Sequence, residues 1–214
     1  MTESAHGIIL RTRPLTETSL IIRWLTPQFG RISTVAKGAR RQKSPFIGKL
    51  DLFYEADFSF ARSRKTDLHV LREVNLHETN KFLRDDILKL HRAAYACTFI
   101  EQATETETPI PAVYHLLREF LKVLNEQNST QMIFAFEMKL LHELGLEPDL
   151  AETNLSAGTK KIAGILLQKN FAAAENLKLM KPQAEELRQF LHGFLIFHLG
   201  KLPKGRANAL AEEI

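Results

Sequence analysis

The sequence predicts an α+β protein: a small five-stranded β-barrel over residues 1–78, then a helical bundle over residues 79–214. Three observations carry that prediction. Five short runs rich in Ile, Leu, Val, Thr and Phe fill the first third, with no helical period between them. From Thr79 onward, apolar residues recur three and four apart. The charge divides near the same place, with 13 Lys+Arg against 6 Asp+Glu in residues 1–72 and 16 against 19 in the remainder. A basic β unit joined to a weakly acidic helical one suggests that the first meets a polyanion and the second something else.

The strands follow in order. Residues 7–13 (GIILRTR), 19–26 (SLIIRWLT) and 31–37 (RISTVAK) are short, β-rich and separated by turn residues. A fourth strand alternates Leu52, Tyr54, Ala56, Phe58 and Phe60 against Asp51, Phe53, Glu55, Asp57 and Ser59, with Phe53 the one apolar residue on the polar face. A fifth, residues 67–74, follows the turn at Arg62, Arg64 and Lys65. Five strands with one long irregular connection, residues 38–49, fit a small barrel. The expectation is the oligonucleotide-binding (OB) type, and an SH3-like barrel is the alternative that periodicity alone leaves open.

The helices come next. Asn80 is placed to cap a helix whose apolar face is Phe82, Leu83, Ile87, Leu90, Ala94, Cys97 and Ile100. Pro109 and Pro111 open a second, with Val113, Leu116, Leu117, Phe120, Leu121 and Leu124 on one side. Ser129 precedes a third that Gly145 ends, and a last helix runs from about Pro182 to Leu199, with Gly200 as its stop. Between them the period is lost at about 148–170, which reads as an irregular insert, and residues 201–214 read as a frayed tail.

Several function classes fall away. No apolar run approaches the length of a membrane span, and the N-terminus has neither the basic region nor the apolar stretch of a signal peptide. Cys97 is the single cysteine, so an intramolecular disulfide is excluded and a cytoplasmic protein is expected. His142-Glu143 begins like a zinc-protease motif, but Leu146 stands where the second histidine is needed. Lys43-Ser44 resembles the end of a phosphate-binding P-loop, but the required glycine is Gln42. His91, His115 and His192 are scattered over helical segments, and Asp85-Asp86 reads as a favourable first helical turn. No catalytic residue, metal ligand or cofactor is expected, and the chain does not read as an enzyme.

The binding features are more coherent. The third strand breaks at Gly38 and delivers Lys37, Arg40, Arg41 and Lys43 within seven positions, with Arg31 leading in. Basic side chains and loop N–H groups at a strand end converge naturally on phosphate. In an OB barrel the loops after the first and fourth strands flank the ligand, which adds Arg11, Arg13, Arg62, Arg64 and Lys65 as secondary contacts. Trp24, Phe29 and Phe46 are candidate stacking platforms for bases, although Trp24 shares a face with Leu20 and Ile22 and so also fits the core. An RNA-binding OB protein tied to ribosome or tRNA is the alternative to a DNA binder.

Residues 7–44, GIILRTRPLTETSLIIRWLTPQFGRISTVAKGARRQKS, closely resemble the opening of the RecO family of bacterial recombination mediators. The likeness lies in Gly7, Leu10 and Arg11, then Thr26, Gly30 and Arg31, then Ala36 to Arg41 with Ser44; Leu144-Gly145 and Pro148-Asp149-Leu150 are similar to a later family segment. The resemblance implies an N-terminal OB domain, a C-terminal helical domain, binding to single- and double-stranded DNA, and annealing of complementary strands. It also implies association with RecR and with the tail of single-strand-binding protein (SSB), loading of RecA, and a nucleoid-associated place in the cytoplasm. For the SSB tail, Leu117, Phe120 and Leu121 beside Arg118 and Lys122, or the last helix with Arg188 and Lys201, are the expected platforms. Many members carry a four-cysteine zinc site after the Pro-Asp-Leu. Here Thr153, Ser156, Leu167 and Asn170 stand at those places, and with only Cys97 in the chain a four-thiolate site is impossible. Packing of Leu155, Ile162, Ile165 and Leu166 in a compact loop or hairpin is expected to replace it.

Overall fold

A computed structural model describes residues 2–126 and 128–211. The β region forms strands β1 (Thr2–Pro14), β2 (Leu20–Thr26), β3 (Gly30–Ala36), β4 (Glu55–Ala61) and β5 (Leu68–Glu78). They close into a barrel in the order β1-β2-β3-β5-β4, antiparallel except for β3 against β5. This is the five-stranded Greek-key arrangement of the OB type. β1 is longer than its hydrophobic run because it serves two neighbours. Residues Thr2 to Ile8 pair with β4 and Ile8 to Pro14 with β2, which closes the barrel.

Register decides what lies inside. Ile9, Trp24 and Ile32 stand in one cross-strand row and join Ile22, Ala36, Phe58, Phe60, Leu71 and Val74 in the core. Trp24 is fully buried, stacks on Phe58 at 4.0 Å and donates its indole N–H to Thr34 Oγ1 at 2.9 Å. Phe46 is buried in the same cluster, and Phe29 meets the Phe60 ring edge-on at 5.8 Å. Trp24 is therefore core, as the face it shares with Leu20 and Ile22 predicts, and the stacking alternative is corrected for Phe46, which is buried, and for Phe29, which packs half-buried against the same cluster. β4 also begins later than the alternation predicts, at Glu55 rather than at Asp51. Phe53 precedes β4 in a left-handed conformation (φ 67°), is buried, and exchanges its backbone with β1 through Phe53 N–H to Ile9 O at 2.9 Å.

The barrel's compact unit comprises the chain through Lys81 together with Thr104–Arg118. β5 pairs with β3 only from Ser33 onward, and residues 104–118 take over the free edge below it. Glu107 N–H donates to Arg31 O at 2.9 Å, and Thr106 bridges Arg31 in parallel. Gly30 (φ 65°) makes this approach possible, because a Cβ there would stand 2.1 Å from the Thr108 carbonyl oxygen.

The second unit comprises Phe82–Ala103 and the chain from Glu119 onward. Its elements are α1 (Ile87–Ala103), α3 (Thr130–Glu143), α4 (Ala157–Gln168), α5 (Phe171–Glu175), α6 (Lys181–Leu199) and α7 (Arg206–Ala209); α2 (Pro111–Val123) spans both units. Asp86, not Asn80, caps α1, its Oδ1 accepting from Leu88 N–H at 2.7 Å. Asn80 (φ 46°) instead donates its amide to Phe53 O at 2.8 Å. α3 is buried on all sides and carries Glu137 into the interior.

Two sequence expectations are overturned here. The insert at 148–170 is irregular only as far as Ser156 and helical after it: Ser156 caps α4 through Thr159 N–H, Asn170 caps α5 through Ala173 N–H, and Glu186 accepts from Ser156 Oγ at 2.9 Å. Leu155 and Leu166 are buried, with Ile162 and Ile165 half-buried. The tail is also anchored, as far as Ala211, and residues 212–214 of that expectation lie outside the described residues. Arg206 pairs bidentately with Glu137 at 2.7 and 2.9 Å, Tyr95 OH also donates to Glu137, and buried Arg92 donates to the Ala209 and Ala211 carbonyls at 3.1 Å. A side chain more than a hundred residues away makes the tail's last turn legible only in three dimensions.

Candidate nucleic-acid interface

β3 ends at Ala36, opposite Leu20, and Gly38 (φ 68°) turns the chain out of the sheet. The basic loop that follows is held at both ends. Arg40 N–H donates to Thr18 O at 3.0 Å in the β1–β2 loop, and Arg41 N–H to Gly38 O at 3.0 Å. Beyond the cations, Phe46 drops into the core. Lys37, Arg40, Arg41 and Lys43 are all exposed. Among the described residues, no side-chain hydrogen bond or ion pair engages any of the four. A loop with a fixed backbone and uncommitted cations is suited to a multivalent anion, because the backbone entropy is already spent.

The barrel wall continues this surface. Arg13, Ile21 and Val35 form one cross-strand row on the outer face, and Arg11, Arg23 and Ser33 form the next. Arg11 and Arg13 are exposed and Arg23 half-buried. Sequence reasoning missed Arg23. The signal was available, since Ile22 and Trp24 point inward and Arg23 must then point out. Arg11 directly opposite Arg23 is a like-charge pair, which disfavours the sheet unless an anion or another partner balances it.

The remaining candidates divide. Arg31 donates to Thr104 Oγ1 at 2.8 Å and to the Thr104 carbonyl, so it secures residues 104–118. Arg62 makes two bonds to Glu3 (2.8 and 3.1 Å) and one to Glu107 (2.9 Å), and lies over the Phe29 and Phe60 rings. The Arg62 guanidinium holds the Glu3 carboxyl below the ordinary carboxylate value. Both arginines are spent on internal contacts. Arg64 and Lys65 are exposed in the β4–β5 turn, which Ser63 Oγ organises by accepting from Lys65 and Thr66 N–H. The parallel register of Ser33 with Leu68 sets this turn toward the Gly30 end of β3, whereas Lys37 follows its other end. Cations therefore lie at both ends of a seven-residue strand, about 20 Å long, with Arg11 and Arg23 between. That length lies within the several nucleotides an OB barrel covers.

A second polar cluster lies on the barrel wall formed by β1, β4 and β5, and His6, Asp57 and His77 at its centre are not among the residues expected from the sequence to form a site. Asp57 contacts His6 Nδ1 at 2.7 Å and His77 Nε2 at 2.6 Å. His6 Nε2 contacts Glu55 at 2.6 Å, and Glu55 also accepts from Tyr114 OH at 3.0 Å and Arg118 Nε at 3.1 Å. Burial opposes ionisation of Glu55, but the bonds from His6, Arg118 and Tyr114 outweigh it and hold its pKa below the ordinary value. Bonds from His77 and His6 do the same for Asp57.

Comparison with known proteins places these observations in a family. Residues 1–80 match the family model for the recombination protein O N terminal region, and residues 84–154 the model for its C terminal region. The chain is 30% identical over 208 residues to a DNA repair protein RecO of Listeria monocytogenes serotype 4b, covering 94% of this chain and 80% of that relative. It is 28% identical over 207 residues to the DNA repair protein RecO of Bacillus pumilus, covering 92% and 80%. For the DNA repair protein RecO of Bacillus subtilis strain 168 the identity is 27% over 210 residues, covering 94% and 82%.

Proposed function

The chain belongs to the RecO family, which carries a role in DNA repair and recombination, and from that premise we propose that it is a non-enzymatic recombination mediator. In this reading it binds single- and double-stranded DNA, anneals complementary strands, and with RecR helps load RecA onto SSB-coated DNA. The observation that carries the reading is the ordered loop with four exposed cations that have no internal partner among the described residues. We assign Lys37, Arg40, Arg41 and Lys43 as the principal phosphate contacts, with Arg13, Arg11 and the unforeseen Arg23 along the wall and Arg64 and Lys65 at its far end. Arg31 and Arg62 have structural duties instead.

The mechanism follows from charge. Two strands repel each other through their phosphates, and a row of cations that neutralises several on each lowers that repulsion while leaving the base edges free to pair. With Trp24 and Phe46 inside the core, phosphate contact rather than base stacking dominates, so binding is insensitive to sequence and strongly dependent on salt. The helical unit supplies the partner surface. The α2 face expected for the SSB tail is core, because Leu117, Phe120 and Leu121 are buried. The exposed Ile196 and Phe197 on α6 are the remaining apolar candidates on the expected final helix. No described helix is long and apolar enough to cross a membrane.

Annealing of SSB-coated complementary oligonucleotides tests the proposal, comparing wild type with the Arg40→Ala/Arg41→Ala variant and including RNA of equal length as competitor. Mediator function predicts annealing without cleavage, weakened by the double substitution. Equal annealing by the variant, or preferential capture by RNA, would count against it.

A further inference from the structure

The β1–β4–β5 wall carries a constellation that the DNA reading does not use. His6 stands directly opposite Asp57 in the β1–β4 register. On the other side, the β4–β5 register shifts between Glu55 and Ala56, and His77 is the extra residue of that bulge. A bulge re-aims the side chain it carries, and here it brings His77 Nε2 onto Asp57 Oδ2 at 2.6 Å. The ligand-capable atoms of His6, Asp57 and His77 all lie within 4.8 Å of one another.

Counting protons shows why the cluster is unusual. A neutral imidazole has one N–H, yet His6 contacts a carboxylate through each ring nitrogen, Glu55 through Nε2 and Asp57 through Nδ1. Glu55 is almost buried and is fixed by Tyr114 and Arg118 as well. It is therefore the natural acceptor of the Nε2 proton, which leaves the Nδ1 lone pair facing Asp57. An imidazole whose far nitrogen donates to a buried carboxylate, and whose near nitrogen faces a second histidine and a carboxylate, has the arrangement of a metal-ligating histidine with its orienting partner. We propose that His6 Nδ1, Asp57 and His77 Nε2 form a three-ligand site for a divalent transition-metal ion, with Glu55 as the residue that positions His6.

The chemistry selects the ion class. Two imidazoles and one carboxylate suit Zn²⁺, Ni²⁺ or Co²⁺ rather than Mg²⁺ or Ca²⁺, which prefer oxygen throughout. A tetrahedral ion with bonds of about 2.1 Å holds its ligand atoms about 3.4 Å apart. The present contacts of 2.7 and 2.6 Å must open by less than about 1 Å, a change within reach of side-chain rotation at half-exposed Asp57 and His77. The open side would be completed by water. Such an ion ties together β1, β4 and β5, the three strands at which the barrel closes. It uses no thiolate, so the single cysteine places no limit on it.

Titration of untagged, chelator-treated full-length protein with Zn²⁺ by calorimetry tests the site, with the visible spectrum of Co²⁺ as a second readout. The expected result is one ion per chain and a rise in melting temperature on Zn²⁺ addition. Affinity should be about tenfold or more weaker in His77→Ala and in Asp57→Asn. His77→Gln, which keeps a polar group beside Asp57, serves if the alanine variant does not fold. DNA affinity should be unchanged by His77→Ala. Absence of saturable binding of Zn²⁺, Ni²⁺ and Co²⁺ to the wild type, or binding equal to wild type in the His77 variants, would overturn the proposal.

Discussion

Replacing Arg40 and Arg41 by alanine should change how DNA binding responds to salt while leaving the fold intact. Both side chains are exposed and have no internal hydrogen bond or ion pair among the described residues, so stability should move by no more than about 0.5 kcal/mol. If each of the four loop cations covers one phosphate, the loop contributes a log–log salt slope of about −2.8 for single strands, at roughly −0.7 per phosphate. Between about 50 and 200 mM salt, that contribution costs about 50-fold in affinity. With two cations removed, the contribution falls to about −1.4 and the loss to about sevenfold. Fluorescence anisotropy with labelled oligonucleotides of several sequences, repeated across a salt series, measures the slope directly. The change should be the same for every sequence, since phosphate contacts carry no base information. A variant with the wild-type slope, or one whose slope changes for one sequence only, would refute the assignment of this loop to the phosphates.

Four other perturbations test structural roles. Arg62→Ala should leave the salt slope unchanged and cost the barrel about 1 kcal/mol or less in urea unfolding, because its ion pairs with Glu3 and Glu107 are partly exposed. Gly30→Ala should destabilise by more than about 2 kcal/mol, since it strains a left-handed backbone and drives a methyl group into the Thr108 carbonyl; limited proteolysis should find new cleavage within residues 104–110. Arg206→Ala should cost about 3–5 kcal/mol by leaving a buried carboxylate unpaired, seen as a lower unfolding midpoint for the helical unit, because Glu137 is inaccessible. Glu55 gives the pH test: its pKa is lowered in the folded state, so its stabilisation is present above the ordinary value of 4.5 and is lost as pH falls through the folded value. Glu55→Gln should flatten the acid limb of a melting-temperature profile, and an unchanged limb would assign acid sensitivity elsewhere.

How much of this was legible depended on the range of the contacts. β2, β3 and α6 could be read because Ile22, Trp24 and Ile32, or Leu187, Leu191 and Leu195, repeat at the period of their own element. The first half of β1 could not, because Thr2, Glu3, Ser4 and His6 are polar and form a strand only by pairing with β4 more than fifty residues on. α4 was hidden by Gly158, Gly164 and a narrow apolar stripe, and its start is set by Ser156 and the distant Glu186. The basic loop was visible as a cluster of charge. That Arg31 and Arg62 are consumed by Thr104, Glu3 and Glu107 was not, because a cation's availability depends on what the fold brings to it. For the same reason His6, Asp57 and His77 read as three unrelated surface residues until the β5 bulge joined them.

The return of residues 104–118 to the barrel has a consequence for synthesis. During translation β1 to β5 emerge first, but the acceptor of Arg118 and Tyr114, the nearly buried Glu55 carboxylate, waits until Arg118 itself has left the ribosome. Until then the lower edge of β3 at Gly30 to Ile32 is an open strand edge, the kind of surface on which nascent chains pair wrongly. A fragment cut at residue 80 would keep that open edge permanently, along with an under-compensated carboxylate in its wall. Residues 104–118 therefore belong with the barrel although they are made after it, and the first helix of the other unit is, in the order of synthesis, an insertion between the barrel's two parts.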